Sequence, residues 1–157
     1  MFFKRKKDTA IMACSNGQVI NLKDIDDPMF SAGLMGPGLA IEAIDGKVYS
    51  PVAGKITMIF PTKHALGIEL NDGKQILIHV GIDTVNLKGE GFVSYVENGQ
   101  MVNAGDLLLD VDIDLLKTKG FQTAVIMCIS EPKEIAVEIV AKNQTVTVSD
   151  EVMKIKG

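Results

Sequence analysis

Short runs of branched apolar residues recur along the chain at intervals of about eight to twelve residues, each closed by Gly, Asp, Asn or Pro. That spacing predicts many brief strands joined by tight turns, not long helices. Strands are expected at 18–22, 39–43, 47–50, 54–59, 64–70, 75–80, 92–95, 107–112, 124–129 and 145–148. Asp112 to Gly120 is expected to make one or two short helical turns, with Gly120 as the stop. Together these elements predict an all-β fold, an antiparallel β-sandwich or barrel-sandwich. Residues 1–9 are expected to form a flexible leader and 10–157 a single domain.

Composition narrows the function classes. With 46% hydrophobic and 23% charged residues in 157, the chain can bury a core without disulfides or metals. A net charge of -4 lacks the basic footprint of a nucleic-acid binder. The exception is Lys4-Arg5-Lys6-Lys7 behind Met1-Phe2-Phe3, a segment suited at most to weak contact with an anionic membrane surface. No apolar stretch reaches the roughly 18 residues of a spanning helix, and the charged start does not resemble a signal peptide, so a cytoplasmic protein is expected. Ile11-Met12-Ala13-Cys14 faintly resembles a lipoprotein cleavage site, but Asp8 interrupts the apolar segment that such a signal needs. Cys14 and Cys128 form no metal-ligand spacing and are expected to be inert thiols. No cofactor is expected. Residues 50–56 and 99–107 resemble pieces of biotinyl and lipoyl carrier domains, which supports a barrel-sandwich, but the modified-lysine tripeptide of those carriers is missing.

The only histidines, His64 and His79, flank Asn71-Asp72-Gly73 in a predicted hairpin. A two-residue Asp72-Gly73 turn would pair Asn71 with Lys74, placing His64 and His79 diagonally on one face, their Cβ atoms roughly 7 Å apart. Leu66, Ile68 and Leu77 would share that face, with Ile76, Ile78, Val80 and Ile82 on the other. A three-residue turn would instead send the rings to opposite sides. Two converging imidazoles can bind metal, exchange protons, or pair a nucleophile with a charge-stabilising partner. Metal is disfavoured by ligand count: zinc wants three or four protein ligands, so adventitious zinc at His64 and His79 is the most to expect. A Ser-His-Asp hydrolase lacks its Gly-x-Ser-x-Gly elbow. Nucleophilic histidine remains.

Thr62-Lys63-His64-Ala65 followed by His79-Val80-Gly81-Ile82-Asp83-Thr84-Val85 resembles the paired-histidine signature of glucose-type IIA proteins of the bacterial sugar phosphotransferase system. The likeness continues through 87–92, 97–106 and 51–56 and covers most of the chain from Gln18 onward. It implies a phosphotransferase component in which His79 accepts a phosphoryl group on Nε2 from the histidine-containing phosphocarrier protein and passes it to a cysteine of a IIB domain. It further implies that His64 supports the phosphoryl group, that Thr62 is its hydroxyl partner, and that the Gly81 carbonyl orients His79. Asp83 matches an acidic position beside the site, or else serves as a turn cap. Phe30, Leu34, Met35, Phe60, Leu77, Val80 and Val85 are implied as the partner-docking patch. The alternative is a regulatory protein of the same fold that docks transporters or kinases without efficient transfer.

Overall fold

The computed structural model describes residues 7–157; Met1 to Lys6, which carry most of the basic cluster and of the expected leader, lie outside the described residues. In chain order the elements are β1 (Thr9–Met12), β2 (Gly17–Asn21), a 3-10 turn (Leu22–Asp24), α1 (Pro28–Ser31), β3 (Gly38–Ala43), β4 (Lys47–Tyr49), β5 (Gly54–Ile59), β6 (Ala65–Glu69) and β7 (Gln75–Val80). A second 3-10 turn (Thr84–Leu87) leads into β8 (Phe92–Ser94), β9 (Met101–Val102), β10 (Leu107–Val111), α2 (Ile113–Thr118), β11 (Ala124–Glu131), β12 (Val137–Ile139), β13 (Thr145–Val146) and β14 (Glu151–Ile155).

Each expected strand has a counterpart, as does the helical turn before Gly120, where the Asp112 side chain caps α2 by accepting from the Leu115 amide at 3.0 Å. The pattern did not reveal β1, β9, β12, β14 or α1. β9 has only two residues, too few for alternation to register, and β1 pairs with β14 across the length of the chain, with the three-residue β12 on β14's other side. Such long-range pairing leaves little local signal. The last two of the nine leader positions are tied down: Thr9 pairs with Ile155, and Asp8 accepts from the Gly157 amide at 2.9 Å and from Lys156 Nζ at 3.3 Å.

An eight-stranded sheet in the order β13-β2-β3-β11-β7-β6-β5-β9 is joined by two three-stranded sheets, β1-β14-β12 and β4-β10-β8. One face of the large sheet supplies Ile41, Leu66, Ile68, Ile76, Ile78, Val80, Val125 and Met127 to a main core completed by Ile11, Val48, Leu109, Val111, Val152 and Ile155 of the small sheets. That is the sandwich. The other face carries a smaller apolar cluster: Ala40, Ala124, Ile126 and Cys128 of the sheet beneath Leu22, Ile25 and Phe30 of the connection between β2 and β3. Asp27 starts α1 by accepting from the Met29 amide at 3.0 Å, with Pro28 in the first helical position. Phe30 is thereby pointed down onto β7 and β11. Both cysteines are free and buried, and burial pushes each thiol up to about 12, consistent with inert packing groups.

Candidate functional site

The hairpin that carries both histidines differs from expectation in its turn. β6 and β7 pair Ala65 with His79 and Glu69 with Gln75, so the connection closes through Leu70–Lys74 around a three-residue loop, Asn71-Asp72-Gly73. Gly73 takes the left-handed conformation (φ +88°) that such a loop requires. This register puts Leu66 and Ile68 opposite Ile78 and Ile76, in the main core and away from His79. Strict alternation would then send His64 to the far side as well. It does not, because His64 precedes β6: a tight turn donates Lys63 N–H to the Phe60 carbonyl at 2.7 Å, and Lys63 itself adopts φ +60°. That left-handed residue breaks the pleat just before β6, and the His64 ring meets that of His79. The two rings meet edge to face, with centroids 5.1 Å apart.

Each ring is held by its Nδ1, His79 by a backbone carbonyl and His64 by a threonine hydroxyl. His79 Nδ1 lies 2.8 Å from the Gly81 carbonyl, an acceptor, so it carries the proton and donates, leaving a lone pair on Nε2. His64 Nδ1 lies 2.6 Å from Thr62 Oγ1, which can donate to it. Gly81 has φ +70°, and a Cβ there would come within 2.5 Å of the Gln122 carbonyl oxygen, so glycine is required for the chain to fold its carbonyl back toward the ring. Phe30 packs on His79 at 5.1 Å and Phe60 on His64 at 5.3 Å.

Both rings are poised to be neutral. Burial, reinforced by the neighbouring His79, lowers His64 to about 4. Burial also lowers His79, opposed by its bond to Gly81 and by the negative charges of Asp27 and Asp83. Asp83 is exposed in the left-handed conformation (φ +59°) and makes no side-chain cap bond, so the turn-cap role weighed for it does not apply. Among the described residues no group of three or more His, Cys, Asp or Glu side chains is placed to hold a metal ion.

Of the implied docking residues, Leu34 and Val85 are exposed at 54% and 47%, while Met35, Phe60 and Leu77 are half-buried. Phe30 is buried as the wall of His79. Val80 is a correction: its side chain is fully buried in the main core, because it alternates with His79 along β7, and it cannot touch a partner. The pattern also missed Asp27, whose Asp-Pro helix start was a readable signal. Ile126 and Cys128, which flank His79 and Leu77 from β11, had no signal, since their register is set by long-range pairing.

Comparison with known proteins agrees with this architecture. The family profile described as phosphoenolpyruvate-dependent sugar phosphotransferase system, EIIA 1, matches residues 9–135. A PTS system glucose-specific EIIA component of Halalkalibacterium halodurans is 44% identical over 131 residues, covering 83% of this chain and 76% of that protein. A PTS system glucose-specific EIICBA component of Streptococcus pneumoniae is 42% identical over 117 residues, 74% of this chain but only 16% of that longer protein. Glucose permease IIA from Mycoplasma capricolum superimposes with a TM-score of 0.87 at 37% identity, covering 99% of this chain and all of that one. Glucose permease IIA thus shares the antiparallel β-sandwich fold of this chain. The chain belongs to the EIIA 1 family of the phosphoenolpyruvate-dependent sugar phosphotransferase system. It is a phosphotransferase component acting in sugar transport.

Proposed function

We propose that His79 carries the phosphoryl group on Nε2, accepting it from the phosphohistidine of the histidine-containing phosphocarrier protein and handing it to a cysteine of a IIB domain. The two Nδ1 contacts carry this assignment: His79 faces a carbonyl that can only accept, and His64 a hydroxyl that is able to donate. A nucleophile needs a lone pair and a stabiliser needs a proton. The Gly81 carbonyl holds the His79 proton on Nδ1 and so exposes the Nε2 lone pair; the Thr62 hydroxyl, donating to His64 Nδ1, leaves a proton on His64 Nε2. Phosphoryl transfer asks chiefly for in-line positioning and donors to the equatorial oxygens, and His64 supplies such a donor beside the accepting ring.

The nucleophile attacks phosphorus as the donor nitrogen leaves, the transferred group keeping its three outer oxygens. In the onward step the IIB thiolate attacks, and the His79 Nε2 lone pair is restored. Asp83 and Asp27 place negative charge beside the ring, suited to cationic side chains on a docking protein. Met35 and Leu77, packed on the cluster beneath His79, and Phe60, packed on His64, support an apolar docking surround that we extend to the exposed Leu34 and Val85, modest enough for each partner to dissociate quickly. Residues 10–157 act as one cytoplasmic domain; no helix among the described residues is long and apolar enough to cross a membrane. The EIICBA relative, in which a matching segment is part of a longer chain, supports a IIB partner. Weak contact of Lys4-Arg5-Lys6-Lys7 with anionic membrane is tested by flotation with phosphatidylglycerol vesicles.

The central test incubates the protein with phosphoenolpyruvate, the first enzyme of the system and the histidine carrier, and reads intact mass. One acid-labile phosphoryl group is expected on the native chain and none on His79→Ala; normal labelling of that variant refutes the assignment. His64→Gln is expected to accept the group but to pass it to a IIB domain roughly a hundredfold more slowly.

A further inference from the structure

The left-handed turn at Lys63 that delivers His64 to His79 also disturbs the backbone between their strands. Val80 N–H donates to the His64 carbonyl at 2.8 Å. An antiparallel pair bonded this way ordinarily exchanges a second bond, here from His64 N–H to the Val80 carbonyl. Among the described residues that bond is not formed. The Val80 carbonyl accepts instead from Oγ1 of Thr84, four residues on, and both residues are fully buried. A buried carbonyl left without a donor would be costly, so this hydroxyl fills a specific need.

The peptide that it fixes is the one linking Val80 to Gly81. Its carbonyl is held by Thr84, and its N–H donates to the Ala124 carbonyl at 2.8 Å. The next carbonyl along is that of Gly81, which accepts from His79 Nδ1. The Thr84 methyl also closes on Gly81, lying 2.6 Å from where a Cβ would stand. The orientation of the Gly81 carbonyl, and with it the tautomer of His79, is therefore set from Thr84.

We infer that Thr84 is a positioning residue for phosphoryl transfer: its hydroxyl supplies the donor that the Lys63 turn withdraws from Val80 and thereby keeps His79 protonated on Nδ1. The inference rests on His79 being the phosphoryl carrier, and it touches neither substrate nor partner directly.

The test compares native protein with Thr84→Val, which keeps the shape but removes the hydroxyl, and Thr84→Ser, which keeps the hydroxyl. Imidazole nitrogen NMR reads the tautomer of each ring, and the rate of acceptance from the phosphorylated carrier reads function. Thr84→Val is expected to show mixed His79 tautomers and a rate lower by roughly ten- to a hundredfold, and Thr84→Ser is expected to restore both. A valine variant with the native tautomer, or a lost rate that serine does not restore, overturns the inference. Should the valine chain not fold, Thr84→Ala is judged by the same two readings. Failure of the native protein to label on His79 would refute the carrier assignment instead, so the two ideas fail separately.

Discussion

On one face of β7, Ile76, Ile78 and Val80 are fully sealed in the main core; on the other, Leu77 and His79 lie half-buried over the smaller cluster beneath Phe30. One strand thus serves as structural beam and chemical platform, the roles alternating residue by residue. The sealed face fixes the position of the backbone, and because the peptide bonds are rigid, it fixes the open face too. A reacting ring can then stand at the surface without a thick layer of its own to hold it.

Substitutions on the two faces should separate stability from chemistry. The largest effect is expected for His79→Ala, which should abolish phosphoryl acceptance while shifting the denaturant midpoint little, because the ring is only half-buried; equal loss of folding would break the contrast. Ile78→Ala, one residue away, is expected to cost about 2–5 kcal/mol in urea unfolding, yet its folded fraction should still label. Gly81→Ala acts on both sides. With φ +70° and the Gln122 carbonyl 2.5 Å from the new methyl, it is expected to lose about 1–3 kcal/mol and to slow acceptance by turning the carbonyl from His79.

A further effect concerns pH. His64 is held near 4 in the fold, whereas an unfolded histidine titrates near 6.5. Below about 6.5 the unfolded chain takes up a proton that the fold refuses until about 4. Stability present above that window is therefore lost as pH falls through it, and lowered His79 acts in the same direction. His64→Gln should flatten the unfolding free energy between these two pH values; an unchanged slope would deny that burial depresses the ring. Asp8 and Asp72, both lowered from 3.8, lose their contribution only at more acidic pH and do not confuse the measurement.

Much of the site was legible because its chemistry is encoded in short segments. The paired-histidine resemblance implied a Thr62–His64 contact and a His79–Gly81 contact, each spanning two residues, and both are present. The pairing of the rings was also expected, but by a mechanism that the structure replaces. A two-residue turn was to align them; in fact a three-residue loop misaligns the pleat and Lys63 restores the encounter. Val80 shows the opposite failure, since membership of the signature suggested surface contact while alternation beside His79 dictates burial.

By itself, the sequence determined the all-β class and the positions of the larger strands, because alternation acts over a few residues, and its family resemblance implied the two histidine bonds. Tertiary structure alone decided which face His64 joins, that β11 lines His79, and that β1, β12 and β14 form a sheet of their own. These depend on one left-handed residue and on strand registers spanning distant segments. A single residue more or less in a turn reverses every side chain beyond it, so such choices are settled only when the partners are packed.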